Sequence, residues 1–218
     1  MKKKILGIIM LAVALLPLHS LAQSLKNSGT DVKQLVPAGW EMIEATGDLN
    51  KDGVKDLVVI ATPNYEAKMK KRDDGYVYNF NQPVLAVYWG VKGGGFKLFK
   101  QYAKVIPARE DEFVSITPSL DITKNGTLEI NLEYFISAGS WSQPSTSYTY
   151  RYQNGDFFLI GKDVTELERN TGRTVETSEN YLTGKRCVTT GNISSKKTKD
   201  AWSKLPKKPL QPMGKTLE

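Results

Sequence analysis

Histidine is all but missing from this 218-residue chain. Its single copy, His19, sits near the amino terminus. Residues Met1 to Ala22 (MKKKILGIIMLAVALLPLHSLA) join three lysines, an apolar run from Ile5 to Leu18 and small residues at Ser20 and Ala22, the build of a cleavable signal peptide. That assigns 1–22 to a leader, makes the mature protein secreted or periplasmic, and takes His19 away on cleavage. A chain without histidine has no Ser-His or Cys-His nucleophile, no histidine general base and no His-ligated zinc. Cysteine is nearly as scarce. Cys187, the single copy, allows no internal disulfide, and no cysteine lies beside the cleavage point to carry a lipid. Long apolar runs are also lacking: the leader's run falls short of the ~18 residues that cross a bilayer, so no membrane span is expected.

The charge is less informative than it looks. The chain holds 30 Lys and Arg against 23 Asp and Glu, a formal +7. The leader carries Lys2, Lys3 and Lys4. The last stretch, 192–218, carries Lys196, Lys197, Lys199, Lys204, Lys207, Lys208 and Lys215 against Asp200 and Glu218. Those two ends account for the excess and leave the body, 23–191, close to neutral. A basic face for nucleic acid is therefore not implied, and none is expected as a partner.

The body reads as one β domain. Short runs of Val, Ile, Thr, Tyr and Phe are separated by Gly, Asn and Asp. Strands are predicted over 40–45 (WEMIEA) and 56–62 (DLVVIAT), the second continuous enough to be covered on both faces. After a polar excursion over 63–82, VLAVYWGV and FKLFKQY flank glycines 93–95 as a hairpin. Asn125-Gly126 and Asn154-Gly155 mark two more turns, and Thr183-Gly184 a last one. The expected fold is mainly β, antiparallel meanders forming one two-sheet or blade-like domain. A degenerate duplication is one reading: 48–60 faces 121–133, which sets Asp48 opposite Asp121, and 87–100 faces 149–162. Two generic meanders with glycine turns are the other.

The most specific motif is GDLNKDGVKDL at 47–57. Asp48, Asn50 and Asp52 offer side-chain oxygens at alternate positions, Gly53 allows a sharp turn, Val54 offers its carbonyl, and Asp56 follows at the ninth position. Packed carboxylates repel unless a cation lies among them, and an all-oxygen set of this spacing suits calcium better than the strictly octahedral magnesium. An EF-hand would place Glu at the twelfth position. Here Val59 stands there and the flanks are strand-like, so it is not an EF-hand. The loop resembles that of the FG-GAP or integrin-type β-propeller repeat, also met in VCBS-type repeats. The resemblance implies a calcium ion held by Asp48, Asn50, Asp52, Val54 and Asp56. Beyond the loop, the order of GW, GDLNKDG, GSW, YRYQNGDFFLIGKD and NYLTGK is similar to small secreted bacterial proteins of unassigned function, which brings no catalytic residues. A metal-free turn is the alternative for the loop, and a plain hairpin for its counterpart at 121–129.

Other signals are less specific. Tyr76, Tyr78 and Phe80, and likewise Tyr148, Tyr150 and Tyr152, alternate as aromatic rows that suit either a β core or a stacking surface. The segment 137–147 around Trp141 is the candidate for contact with a glycan or protein ligand. The 192–218 tail, with Pro206, Pro209 and Pro212, reads as a solvated tail or as an arm anchored by Trp202, Leu205 and Leu210. Function is expected to be that of an extracytoplasmic calcium-binding interaction module, more a binder than an enzyme. The rival is a carboxylate-only hydrolase of glycosidase type, with acid pairs such as Glu110 and Glu112 or Glu166 and Glu168. Oligomeric state is not legible.

Overall fold

The structure, a computed structural model, describes residues 24–215 and Leu217. The leader expected over 1–22 lies outside the described residues. Fourteen strands follow in order, beginning with β1 (Ser28–Gly29), a short helix α1 (Val32–Leu35), β2 (Glu41–Gly47) and β3 (Asp56–Thr62). The polar excursion supplies the small hairpin β4 (Met69–Lys71) and β5 (Val77–Asn79), and β6 (Val84–Gly90) and β7 (Phe96–Tyr102) form the glycine hairpin. The second half runs β8 (Val114–Ile122), β9 (Thr127–Ile136), β10 (Ser142–Gln153), β11 (Asp156–Glu168), β12 (Arg173–Asn180), β13 (Lys185–Asn192) and β14 (Ser195–Lys204). The protein is thus mainly β and antiparallel, with a five-stranded sheet in the order β1-β7-β6-β3-β2 and a seven-stranded sheet running sequentially from β14 to β8.

The two sheets meet over a shared core. Val58, Ile60, Leu85 and Val87 from the first pack with Leu128, Ile130, Leu132, Tyr148 and Tyr150 from the second. Alternation along β9 does this directly, since every second residue from Leu128 points inward. The five-stranded sheet has a second core on its outer face, where Leu57, Val59, Ala61, Ala86 and Tyr88 lie under Leu25, Leu35 and Val36. That double cover is why DLVVIAT is apolar at successive positions. The Tyr148–Tyr150 row is core, with Tyr152 beside Trp89, Phe99 and Phe157 in one aromatic cluster. In the other row Tyr78 is buried whereas Tyr76 is exposed.

The two halves share a strand order. β2, β3, β6 and β7 are consecutive neighbours in one sheet, as β8, β9, β10 and β11 are in the other. The register shifts between Val87 and Tyr88 of β6, and again between Thr149 and Tyr150 of β10, which are matching positions of the two stretches. The match fails at the loops. Asp121 lies within β8 opposite Glu129, whereas Asp48 lies past the end of β2, so the pairing of Asp48 with Asp121 is corrected by the register. The second turn is a tight hairpin in which Thr123 N–H donates to the Thr127 carbonyl, as Asn125-Gly126 indicates.

The basic segment from 192 onward is also drawn into the domain, so the boundary at 191 is not a structural one. Ser195–Lys204 is the edge strand β14, paired with β13. The chain then returns to β11, where Leu159 N–H donates to the Gln211 carbonyl and Met213 N–H to the Phe157 carbonyl. The anchors are Met213 and Leu217, both in the shared core, and not Trp202, which is 69% exposed. Trp202 pairs with Cys187 on an edge strand that is exposed along its whole length.

A polar tie joins the sheets at one end. Asp156 of β11 accepts from Lys100 Nζ at 2.5 Å and from the Tyr102 hydroxyl at 2.7 Å, both on β7. Burial pushes the Asp156 carboxyl up, but the hydrogen bonds from Lys100 and Tyr102 outweigh it and hold the group below its usual 3.8. A carboxylate with a lowered folded pKa contributes stability that is present above the unfolded value and lost as pH falls through the folded one. Asp156→Asn should therefore flatten the acid limb of stability against pH, read from urea midpoints across that range. The change is expected to be modest because Lys100 is 42% exposed and solvent screens the pair. An unaltered acid limb would remove the tie from the account.

Candidate calcium loop

The loop between β2 and β3 is organised by its own side chains. Asp48 accepts from the N–H of Asp52 at 3.1 Å through one oxygen and from that of Gly53 at 2.9 Å through the other. Asn50 Oδ1 accepts from Asp52 N–H, and Asp52 Oδ1 from Val54 N–H at 2.8 Å. The Asn50 amide also donates to Asp52 Oδ2 at 3.0 Å. Such side-chain-to-backbone bonds are what Asn and Asp form in turns, and together they gather Asp48, Asn50 and Asp52 around one bend. Gly53 makes the bend with φ of +83°, and Lys51 enters the same left-handed region at +64° without being glycine.

Asp56 is set apart from that group. It is fully buried at the start of β3, accepting from Leu49 N–H at 2.8 Å and from Gly90 N–H at 2.9 Å. Burial raises its carboxyl above the usual range, against the lowering pull of the Gly90 and Leu49 amides, and Asp52 adds like-charge repulsion. Asp56 therefore fastens the loop to β6 and shuts its base.

Two glycines that the motif does not contain complete the clamp. A Cβ on Gly90 would stand 2.2 Å from the Lys55 carbonyl oxygen and 2.6 Å from Val54 Cγ1. A Cβ on Gly126, in the β8–β9 turn, would stand 2.7 Å from the Asp48 carbonyl oxygen. The loop is held between the end of β6 on one side and the counterpart turn of the other sheet on the other. Neither partner is adjacent in sequence, and the turn signal at Asn125-Gly126 and the strand pattern around Gly90 do not show this contact.

The donor set fits a hard cation in its chemistry: every side-chain donor is oxygen, and each carboxylate oxygen that accepts one N–H keeps a further lone pair. The positive charges nearest in sequence are Lys51 and Lys55, both exposed.

The remaining candidates are dispersed. Trp141 is 65% exposed at the turn between β9 and β10, near Phe135, which is also exposed. Arg169 ties that turn by donating to the Ile136, Ser140 and Trp141 carbonyls, and its guanidinium lies 5.7 Å from the Phe135 ring centre. Of the acid pairs, Glu112 is bound to Lys70, while Glu166 and Glu168 lie along β11 opposite Pro144 and Ser142. Comparison with known proteins adds no assignment: no protein-family model, curated protein or solved structure matches the chain.

Proposed function

We propose that the chain is an extracytoplasmic binding module whose five-stranded sheet is braced by one structural calcium ion at Asp48, Asn50, Asp52, the Val54 carbonyl and Asp56. The observation that carries the reading is the loop itself. Three oxygen-bearing side chains, two of them carboxylates, are gathered on one bend clamped between the two sheets, and neither carboxylate is ion-paired to a Lys or Arg among the described residues. A cation there relieves the repulsion and holds β2, β3 and the β8–β9 turn in one arrangement. The extracytoplasmic placement rests on the leader sequence, and calcium is abundant outside the cytoplasm.

Calcium at a hundred times its Kd is expected to add about 2.7 kcal/mol, a rise in melting temperature of roughly 5 to 11 °C for a chain of this size. Asp48→Ala combined with Asp52→Ala should abolish that rise. A melt indifferent to calcium and chelator, with no bound metal by native mass spectrometry, overturns the site.

The lack of histidine beyond His19 and the exposed Trp141 and Phe135 support binding over turnover, with a glycan or a protein as ligand. A panel of glycans and peptidoglycan fragments, scored separately for binding and for hydrolysis, tests this. Hydrolysis that disappears when a single acid outside the loop is replaced would establish the hydrolase instead.

A further inference from the structure

β14 and the returning chain enclose a second feature, remote from the calcium loop in sequence. Past Lys204 the chain leaves the sheet edge, passes the β12–β13 turn at 181–184 and rejoins β11 at Gln211, so that 205–211 forms a strap. Between strap and turn lies a cavity of about 790 Å³, within the range of small-molecule sites. Leu159, Leu182, Leu205 and Leu210 supply its apolar wall, with Pro206 and Pro209 stiffening the strap.

The polar lining is one-signed. Lys185, Lys204, Lys207 and Lys208 border the cavity, and no acidic side chain among the described residues does. None of the four has a carboxylate partner among the described residues. Lys185 and Lys204 stand directly opposite each other across β13 and β14. Like charges in that position destabilise a sheet, and the nearest ion pair, Glu179 with Arg186, is already made. A single anion between the facing lysines turns the repulsion into attraction, while the leucine wall is suited to hydrocarbon.

We infer that this cavity is a binding site for a single-chain amphiphilic anion, an acyl or alkyl chain bearing a phosphate or carboxylate head, with the head between Lys185 and Lys204 and the chain against Leu159, Leu182 and Leu210. The inference adds a ligand site apart from Trp141 and rests on the proposed function only in that the chain acts as a binding module, not on calcium or on the glycan or protein ligand.

Dodecyl phosphate below its micellar concentration, titrated calorimetrically into the full chain, should bind with a stoichiometry of one. Inorganic phosphate and dodecyl maltoside should each bind at least tenfold more weakly, since each lacks half of the recognition, and laurate arms report whether carboxylate replaces phosphate. Lys204→Glu should weaken dodecyl phosphate at least tenfold while raising the melting temperature, because it places an acid opposite Lys185; Leu182→Ser should narrow the gap between dodecyl phosphate and phosphate. Unchanged binding in Lys204→Glu, or phosphate binding as tightly as dodecyl phosphate, overturns the site. So does binding only to phosphatidylglycerol vesicles with none to the monomer, which would make the lysines a membrane-facing patch. Failure here with calcium-dependent melting intact removes the cavity and leaves the calcium loop standing.

Discussion

Asp56→Ala is expected to lower stability by about 3 kcal/mol, since it strands two N–H groups, one buried and one half-buried, whose charge-assisted bonds are worth roughly 1.5 to 3 kcal/mol each before the cost of burying the charge. The Leu49 and Gly90 amides lose their acceptor together, the first buried and the second half-buried. The raised carboxyl pKa marks the offset, because burial already taxes the ionised form. A loss of this size lowers the melting temperature by roughly 6 to 12 °C. Asp56→Asn should fall between wild type and alanine, since its carbonyl satisfies one N–H while its NH2 meets the other. Urea unfolding and amide exchange at Leu49 and Gly90 measure both effects. A cost below about 1 kcal/mol, the value of one ordinary hydrogen bond, would mean the loop base is not locked by this residue.

Gly90→Ala should cost nearly as much, about 3 kcal/mol, at the upper end of what an overpacked core position loses. The new methyl meets the Lys55 carbonyl oxygen at 2.2 Å and the carbonyl carbon at 3.0 Å, both backbone atoms that no rotamer change moves aside. The loop must shift, and the Gly90 N–H bond to Asp56 goes with it. Combined with Asp56→Ala the loss should be less than additive, because the two substitutions break one shared contact. Gly161→Ala is the control: its Cβ would stand 3.5 Å from its nearest neighbour, the Glu179 carbonyl oxygen, so a change under about 1 kcal/mol is expected. Equal costs at Gly90 and Gly161 would show that chain entropy and not close approach is being measured.

Much of the architecture is legible residue by residue. DLVVIAT occupies the strand predicted for it, Asp56–Thr62, because an unbroken apolar run is stable only with both faces covered. Alternation from Leu128 onward selects the inward face of β9, and Asn125-Gly126 and Asn154-Gly155 turn where their dipeptides allow positive φ. The 47–57 motif likewise shows its own bend, since Asn and Asp bond locally to the backbone within a few residues. Register is not legible in the same way. Asp121 matches Asp48 in its place along the repeated stretch but pairs with Glu129 inside a strand, whereas it is Gly47 that pairs with Asp56, and residue types do not fix a one-residue shift.

The amino-acid sequence alone determined the chemistry available: no histidine after position 19, oxygen donors at alternate positions in one loop, and a near-neutral body between two basic ends. The tertiary structure decided which of those groups meet. It set Gly90 from a distant strand and Gly126 from a distant turn against the 48–56 loop, buried Tyr148 and Tyr150 and left Trp141 outside. It also folded the basic end into an edge strand and a strap, so that lysines which read as a solvated tail border a leucine-walled cavity. The division has a physical cause. Turn chemistry and strand alternation act over a few residues, whereas close approach, like-charge opposition and burial arise only when segments far apart in the chain are brought within a few ångströms.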